Sequence, residues 1–338
     1  MRITSKELAK LIGVSQSTIS RALNGSDQIS ERRKKEIIEL AQKHNFEFNM
    51  TARSLRTQTS NSIGILMPTY FRSFMEDDFR ALQFSYLQSE LSKHDFDPIF
   101  LSDVALSDDV TALDRVIKKR QLAGLVLSRR IENDEVIEYL KSLPILLFSM
   151  TRCNEKMQFI PSVSFDSYKM GVLVGELFAK RRFKRIGYIR IRDHQSGELT
   201  TKGFIDALAE QGMGVLKEDI YFTSFDFQSG YDTVINNLDR MRQYDAIFAQ
   251  NDSMALGVIS ALQDNGISIP DQISVVGNND IPMAHWFSPR LTTVQNFVDK
   301  HARVASERII SMIKDGIDPS PEKHYIIKPE LIIRESCL

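Results

Sequence analysis

Residues 4–25 read TSKELAKLIGVSQSTISRALNG, and this stretch decides the first part of the fold. Apolar residues recur at helical spacing on both sides of Gly13, which predicts two short helices. Thr4 and Ser15 each stand where an N-cap residue accepts a hydrogen bond, and Asn24-Gly25 ends the second helix. Two such helices joined by about four residues predict a helix-turn-helix.

The segment that follows completes a small basic unit. Ser30 predicts the cap of a third helix that closes near His44, whereas residues 49–60 are polar and lack a core pattern. Residues 1–60 hold 11 Lys and Arg against 6 Asp and Glu, while the whole chain has a net charge of −1. A basic unit joined to an acidic remainder favours a polyanionic partner at the N-terminal side. We therefore expect a DNA-binding headpiece at 1–48 and a hinge helix and linker at 49–60.

From residue 62 onward, short apolar runs alternate with amphipathic stretches. The predicted strands are 63–67, 97–101, 122–127, 145–149, 162–165, 185–191, 246–249 and 273–276. The predicted helices are 79–93, 110–120, 168–182, 201–211, 230–241 and 253–265. Repeated strand and helix units predict an α/β core of parallel sheets flanked by helices. The series restarts near residue 162, so we expect two lobes, 61–161 with 294–325 and 162–293 with 326–338, and a ligand cleft between them.

Several classes of protein are disfavoured by what the sequence lacks. No apolar run reaches the length of a membrane span, and the N-terminus has no apolar signal-peptide region, so we expect a cytoplasmic protein without a membrane partner. Cys153 and Cys337 stand alone, and the six histidines show no ligand spacing, so we expect neither metal nor cofactor. The sequence also has no nucleophile elbow, Walker loop or complete dinucleotide fingerprint, which argues against an enzyme.

Ordered motifs along nearly the whole chain resemble one family. Residues 4–25 are similar to the headpiece of the lac repressor and purine repressor family of bacterial transcriptional regulators, and ARSLR at 52–56 resembles its hinge helix. QNDSMALG at 250–257 resembles its cleft motif, and IPDQISVVG at 269–277 resembles the strand before the next binding loop. SPRLTTV at 288–294 and PELIIRES at 329–336 complete the match. The resemblance implies a headpiece followed by a two-lobed core like that of periplasmic binding proteins.

The second predicted helix has a polar side and an apolar side. Gln16, Ser17 and Arg21 fall on the side opposite Ile19, Ala22 and Leu23, so the polar side is free to enter a major groove. Small donors nearby suit phosphate contacts, although the hydroxyls equally suit helix caps. The expected DNA contacts are Ser5, Ser15, Gln16, Ser17, Thr18, Ser20, Arg21, Asn24, Asn49, Ala52, Arg53, Leu55 and Arg56.

Leu55 is the apolar residue of the hinge motif, and the resemblance implies that it wedges into a minor-groove step. Arg53 and Arg56 flank it and are expected to follow the narrowed groove. Because one headpiece binds weakly, the resemblance further implies a homodimer on pseudo-palindromic operator DNA.

The resemblance also assigns an effector site, with departures from sugar-binding relatives. Ser149 and Asn279 stand where those relatives commonly have aspartate, and Thr200 stands where they have arginine. Phe225 matches an aromatic platform, and Asp252 suits either the ligand or the cap of the next helix. The expected effector residues are Phe74, Met75, Ser149, His194, Ser196, Thr200, Lys202, Phe225, Asn251 and Asn279.

The loss of two carboxylates and a nearby group of bases point to an acidic effector. Arg190, Arg192, His194 and Lys202 enrich one expected wall, and TTKG at 200–203 resembles gluconate-responsive members. We hypothesise a repressor of carbohydrate catabolism genes that responds to a sugar acid such as gluconate. A neutral sugar or a sugar phosphate remains the alternative effector. A sugar-binding receptor or an enzyme on the same fold is the alternative outside this class.

Overall fold

The protein is described here from a computed structural model, which describes residues 5–23, 28–44, 61–67, 78–101, 110–191 and 195–338. The chain divides into two compact units, residues 1–60 and residues 61–338. In the described parts of the chain, no helix is both long and apolar enough to cross a membrane.

The first unit contains three helices, α1 (Ser5–Ile12), α2 (Gln16–Leu23) and α3 (Glu31–Lys43). Leu8, Ile19 and Ile37, one from each helix, are at most 1% exposed and form its core. Gly13 ends α1 at φ +71°, a conformation that glycine adopts at little cost. The Ser15 hydroxyl accepts a hydrogen bond from the Thr18 backbone N–H at 3.1 Å and so caps α2.

The second unit begins with a six-stranded parallel sheet in the order β11-β5-β4-β3-β1-β2. Its strands are β1 (Ser62–Leu66), β2 (Asp97–Leu101), β3 (Gly124–Leu127), β4 (Leu146–Ser149), β5 (Ser162–Phe165) and β11 (His324–Ile327). Helices α4 (Asp78–Ser92) and α13 (Val298–Asp315) pack on one face, and α5 (Val110–Arg120) and α6 (Asp134–Ser142) pack on the other. These elements form the first lobe.

The second lobe is built on a four-stranded parallel sheet in the order β7-β6-β8-β9. Its strands are β6 (Ile186–Ile191), β7 (Ile220–Thr223), β8 (Ala246–Ala249) and β9 (Ser274–Val276). Helices α7 (Ser167–Arg181) and α8 (Gln195–Ala209) pack against one face. The other face is covered mainly by α9 (Phe227–Ile235), α10 (Leu238–Met241) and α11 (Asp252–Asp264).

Short elements join and close the lobes. Helix α12 (Pro282–Trp286) follows β9, and β10 (Thr293–Gln295) pairs antiparallel with β12 (Glu330–Ile332). Two single turns of 3₁₀ helix lie at Glu155–Met157 and Lys217–Asp219.

The lobe boundary predicted at residue 162 is wrong, because β5 belongs to the first sheet. Ser162 pairs with Ser149 and with His324, and Val163 is buried in the first lobe's core. The chain therefore enters the second lobe after Phe165, returns to the first after Gln295, and leaves it again after Ile327.

Three predicted helices also differ from the structure. The helix predicted at 230–241 is two helices, because Asn237 leaves helical geometry at φ −131°. Helix α8 begins at Gln195 rather than at 201. Helix α11 includes Asp252 and is capped by Asn251, so Asp252 is not the cap.

Candidate functional site

The outer side of α2 presents the residues expected to read DNA. Gln16, Ser17 and Arg21 are exposed, while Ile19 and Ala22 are 1% exposed and packed inward. Packing Ile19 and Ala22 against α1 and α3 orients the polar side away from the headpiece core. The helix has the geometry of a groove-binding helix with one buried face.

The hydroxyls at the start of α2 bond to one another. Ser15 Oγ lies 2.7 Å from Ser17 Oγ and 2.8 Å from Thr18 Oγ1. Ser15 and Thr18 therefore fix the first turn of the helix, which accounts for them without DNA, and their phosphate contacts stay predictions. Ser20 is half-buried, and Ser5 lies in the first turn of α1.

Several predicted residues lie outside the described parts of the chain. Asn24, Asn49, Ala52, Arg53, Leu55 and Arg56 are the DNA residues concerned, and Phe74, Met75 and His194 are the effector residues. Ser196 belongs to the first turn of α8, where only its backbone is described.

Asn251 and Phe225 are brought together at the carboxyl end of the second sheet. The Asn251 Oδ1 accepts from the Met254 backbone N–H at 2.8 Å, which caps α11, and its Nδ2 donates to the Phe225 carbonyl at 2.7 Å. Both ends of the Asn251 amide are thus used within the protein. Asn251 holds the segment carrying Phe225 at the start of α11, so its contribution to a site is positional in this structure.

Asp252 is fully buried under the loop that carries Asn279. Its carboxylate accepts from the Ile281 backbone N–H at 2.8 Å and from the Thr293 hydroxyl at 2.5 Å. Burial raises the pKa of Asp252 to about 7, although these hydrogen bonds act in the opposite direction. A Cβ atom on Gly277 would lie 2.2 Å from the Asp252 Oδ1, so the loop requires glycine there.

The loop itself has an unusual backbone. Asn279 and Asp280 adopt φ values of 128° and 56°, which non-glycine residues rarely occupy. Arg334 holds this conformation by donating from Nη2 to the Asp280 Oδ1 at 2.6 Å and from Nη1 to the Leu291 carbonyl at 2.8 Å. The Asn279 Oδ1 in turn accepts from the Asn296 Nδ2 at 2.9 Å.

A cavity of about 480 Å³ lies between α4, α12 and residues 295–299. Its apolar lining includes Leu82, Tyr86 and Trp286, and its polar lining includes Asn279 and Gln295. This volume falls within the usual range of small-molecule sites, and five of its eleven lining residues are polar, namely Asn279, Asp280, His285, Gln295 and Asp299. Of the described residues predicted to contact the effector, Asn279 lines this cavity.

Lys202 is placed away from the other predicted effector residues. Its Nζ lies 2.5 Å from the Asp206 carboxylate and 5.5 Å from the centre of the Tyr168 ring, and its side chain is 64% exposed. Thr201 and Gly203 are buried on α8, whereas the Lys202 side chain lies at the surface beside Asp206 and Tyr168. The prediction that Lys202 lines the cleft is not supported by this geometry.

Ser149 and Thr200 are buried. The Ser149 hydroxyl, at the end of β4, donates to the Thr151 carbonyl at 3.0 Å and accepts from the Thr151 N–H at 3.2 Å. Thr200 lies on the face of α8 that packs against α7, where a Cβ atom on Gly171 would meet the Thr200 carbonyl at 1.9 Å. The Arg190 guanidinium, on β6, lies 5.2 Å from the centre of the Phe222 ring, which belongs to the edge strand β7.

Four structurally important residues were not found from sequence. Arg334, Asp280 and Asn296 act across gaps of at least 17 residues, so local patterns carry no signal for their contacts. Gln250 accepts from the Ile191 N–H at 2.8 Å and donates to the Gly197 carbonyl at 2.9 Å, which fastens the first turn of α8 to β6. Its place in the 250–257 motif was the available signal. Among the described residues, no group of three or more His, Cys, Asp or Glu could hold a metal ion.

Comparison with known proteins agrees with this architecture. Residues 4–49 match the family described as bacterial regulatory proteins, lacI family, and residues 176–337 match a periplasmic binding protein-like domain. The chain is 29% identical to the HTH-type transcriptional regulator RegA of Clostridium saccharobutylicum over 100% of both chains. It is 28% identical to the repressor PurR of Mannheimia succiniciproducens over 98% of both. The probable repressor ExuR of Bacillus subtilis is 27% identical over 99% of this chain and 98% of its own.

Solved structures share the fold over the whole chain. The lac repressor dimer bound to operator and the anti-inducer ONPF has a TM-score of 0.80 at 17% identity and covers 100% of both chains. A complex of the transcriptional regulator CelR with cellobiose has a TM-score of 0.71 at 21% identity, covering 99% of this chain and 100% of that one.

A helix-turn-helix headpiece followed by a periplasmic-binding-protein-like core defines a bacterial transcriptional regulator rather than an enzyme. The chain's headpiece, residues 4–49, is similar to that of the lacI family of these regulators.

Proposed function

We propose that the protein is a cytoplasmic repressor of carbohydrate catabolism genes that binds pseudo-palindromic operator DNA as a homodimer. A sugar-like effector that binds the core controls its operator affinity. The observation that carries this proposal is the two-sided α2 helix, which buries Ile19 and Ala22 and exposes Gln16, Ser17 and Arg21. The domain limits are those given above, with the headpiece at 1–48 and the hinge at 49–60.

DNA binding is supported by the chemistry of the exposed side of α2. Gln16 and Ser17 stand at the beginning of the helix, from which side chains reach base edges, and Arg21 is one turn further on. Arg21 is exposed on α2, where a guanidinium can contact guanine or phosphate. One headpiece of this size offers few contacts, which is the reason to propose two of them on a two-fold symmetric site.

The first test is the anisotropy of a labelled DNA fragment from upstream of the protein's own gene. We expect tight binding that weakens steeply between 50 and 200 mM salt. Arg21→Ala should weaken it about tenfold or more. Lys141→Ala is the control, because Lys141 is an exposed residue on α6 in the unit 61–338, where it pairs with Glu138. Failure of the wild-type chain to bind any fragment at low salt would refute the regulator function.

A sugar acid is the first effector that we propose. Ser149 and Asn279 remove two carboxylates from positions where sugar-binding relatives commonly carry aspartate, and this lowers the repulsion of an acidic ligand. Gluconate, related sugar acids and neutral sugars should be added in turn to the protein bound to its DNA fragment. We expect a sugar acid to change the anisotropy and neutral sugars to change it less. The direction of the change will distinguish an inducer from a corepressor.

A neutral sugar is the second candidate, and the outward position of Lys202 favours it. With Lys202 paired to Asp206 on the surface, one of the four bases expected to attract an acid is removed from that wall. The similarity in fold to the CelR complex with cellobiose is consistent with a neutral carbohydrate. Lys202→Met should leave the response to any effector unchanged, and a loss of response would place Lys202 in the site.

A further inference from the structure

We propose that Asn296 fixes the orientation of the Asn279 amide, so that Asn279 offers N–H donors to the cavity beside α12. Asn279 therefore contacts its ligand at an acceptor oxygen, and a carboxylate or a carbonyl is a stronger acceptor there than a hydroxyl. This inference rests on the proposed function, because it names the chemical group by which the core recognises its effector.

The backbone carbonyl of Gln250 determines the orientation of the Asn278 amide, and through it that of Asn296. The carbonyl of Gln250 can only accept, and the Asn278 Nδ2 lies 3.2 Å from it. The amide nitrogen of Asn278 must therefore face Gln250, which leaves its Oδ1 facing Asn296. The Asn296 Nδ2 lies 3.4 Å from that oxygen.

Asn296 transmits this polarity to Asn279. Its side chain is 1% exposed, and its Nδ2 also lies 2.9 Å from the Asn279 Oδ1. The opposite orientation of the Asn296 amide would set its oxygen against two amide oxygens. In the orientation found, the Asn296 Oδ1 has no hydrogen-bond partner among the described residues. The buried Asn296 amide thus lacks a donor to its oxygen, while its nitrogen donates to the Asn278 and Asn279 oxygens.

Within the described ranges, the donor end of the Asn279 amide has no acceptor. Its backbone is anchored by the hydrogen bond from its N–H to the Val294 carbonyl at 2.9 Å, and its Oδ1 is occupied by Asn296. No residue in the described ranges accepts a hydrogen bond from the Asn279 Nδ2. Because Asn279 lines the cavity, these N–H groups are the end of the amide that a ligand meets. An aspartate at position 279 would instead present only acceptors.

Two acidic residues of the cavity lining bear on whether a negatively charged acceptor can bind. Asp280 and Asp299 also line it, but Asp280 is paired with Arg334 and Asp299 is exposed to solvent. A carboxylate and a neutral carbonyl share the chemistry that Asn279 recognises. A matched ligand series distinguishes them, namely gluconate, gluconamide and sorbitol, which differ in one terminal group.

The first measurement requires no ligand. In the full chain labelled at asparagine side chains, solvent exchange of the Asn279 and Asn296 amide protons is followed by NMR, with each pair assigned by its loss in Asn279→Asp or Asn296→Asp. We expect slow exchange for Asn296 and fast exchange for Asn279. The reverse order would overturn the assigned orientation. This measurement remains decisive if the chain proves not to bind operator DNA, so failure of the proposed function is separately visible.

The second measurement uses the intrinsic fluorescence of Trp286, the only tryptophan of the chain, which lines the same cavity. We expect gluconate to bind at least tenfold more tightly than sorbitol. Asn279→Asp should weaken gluconate about tenfold and change sorbitol less than threefold. Asn296→Asp should have the same direction of effect, because a carboxylate at 296 cannot donate and the Asn279 amide must turn to donate to it.

The remaining outcomes are equally informative. Gluconamide binding as tightly as gluconate identifies a carbonyl as sufficient, whereas weak gluconamide binding identifies the carboxylate. Asn236→Asp, at an exposed position on another part of the second lobe, controls for the added charge. Sorbitol binding as tightly as gluconate, or no binding by any of the three ligands, would overturn the ligand class.

Discussion

Arg334 and Asp280 form an ion pair that is almost entirely removed from solvent. Their Nη2 and Oδ1 atoms lie 2.6 Å apart, and the two side chains are 10% and 4% exposed. His285 approaches the same carboxylate at 3.4 Å from its exposed position on α12. The pair thus holds a loop of rare backbone geometry to the C-terminal segment.

Removing one member of this pair should be costly. Arg334→Met leaves the Asp280 carboxylate buried without its main partner, so we expect the free energy of unfolding to fall by about 3–5 kcal/mol. Arg290→Met is the control, because Arg290 and Glu335 are 58% and 45% exposed and their ion pair should contribute about 0–1 kcal/mol. Urea unfolding of both variants measures the difference, and equal losses would contradict it.

The contact between α7 and α8 depends on a glycine. A Cβ atom at Gly171 would lie 1.9 Å from the Thr200 carbonyl, which belongs to backbone and cannot move aside as a side chain can. We expect Gly171→Ala to lower the stability by about 3 kcal/mol. At Gly214 nothing lies within 4 Å of the added atom, so Gly214→Ala should be nearly neutral. A thermal melt of the two variants decides, and a Gly171→Ala chain as stable as wild type would refute the close contact.

His301 should make the protein sensitive to acid. Its Nε2 donates to the Val163 carbonyl at 3.1 Å, its Nδ1 lies 3.3 Å from the Gln83 amide, and burial lowers its pKa to about 4. The unfolded chain takes up its proton near pH 6.5, so the stabilisation present above that pH is lost as the pH falls towards 4.

The loss is expected to approach 1.4 kcal/mol per pH unit within this window. In His301→Met the corresponding slope should be absent, whereas His94→Gln, at an exposed position, should keep it. Urea midpoints between pH 4 and 7 test this, and parallel curves for wild type and His301→Met would exclude the role of His301.

Asp252 should act with the opposite sign. Because its pKa is raised to about 7 by burial, the folded chain keeps a proton that the unfolded chain has released above about pH 4. Its contribution is fully present below that pH and declines as the pH rises to 7. Compared with Asp252→Asn, the wild type should therefore lose stability over this range. Asp299→Asn is an exposed control, and its stability should depend on pH as that of the wild type does. If the stability of Asp252→Asn depended on pH in the same way as that of the wild type, Asp252 would not titrate near neutrality.

Periodicity predicted most of the core because each sheet and helix buries a regular pattern. The strands at 97–101, 162–165 and 246–249 appear with the predicted limits. Helix α13 was missed because its buried side includes His301 and Arg308, which interrupt the apolar pattern. Their burial is offset by partners outside the helix, the Val163 carbonyl for His301 and the Asp318 carboxylate together with the Ser162 carbonyl for Arg308.

The site was less predictable than the fold. Lys202 follows two buried threonines in sequence, yet a step of one residue on a helix turns the side chain to the surface. Asn251 was recognised by its motif, but its amide is used for capping and for the Phe225 carbonyl. The polarity of Asn279 depends on Asn296 and Asn278, and no local pattern encodes which end of an amide faces a cavity.

The three passages of the chain between the lobes have a consequence for synthesis on the ribosome. The six-stranded sheet receives β11, its edge strand beside β5, only when residues 324–327 have been made. Until then the hydrogen-bonding edge of β5 stays uncovered, and such an edge can pair with another nascent chain. The first lobe to be translated is therefore completed only after most of the second lobe has been made, so molecular chaperones should engage the growing polypeptide before its last strands emerge.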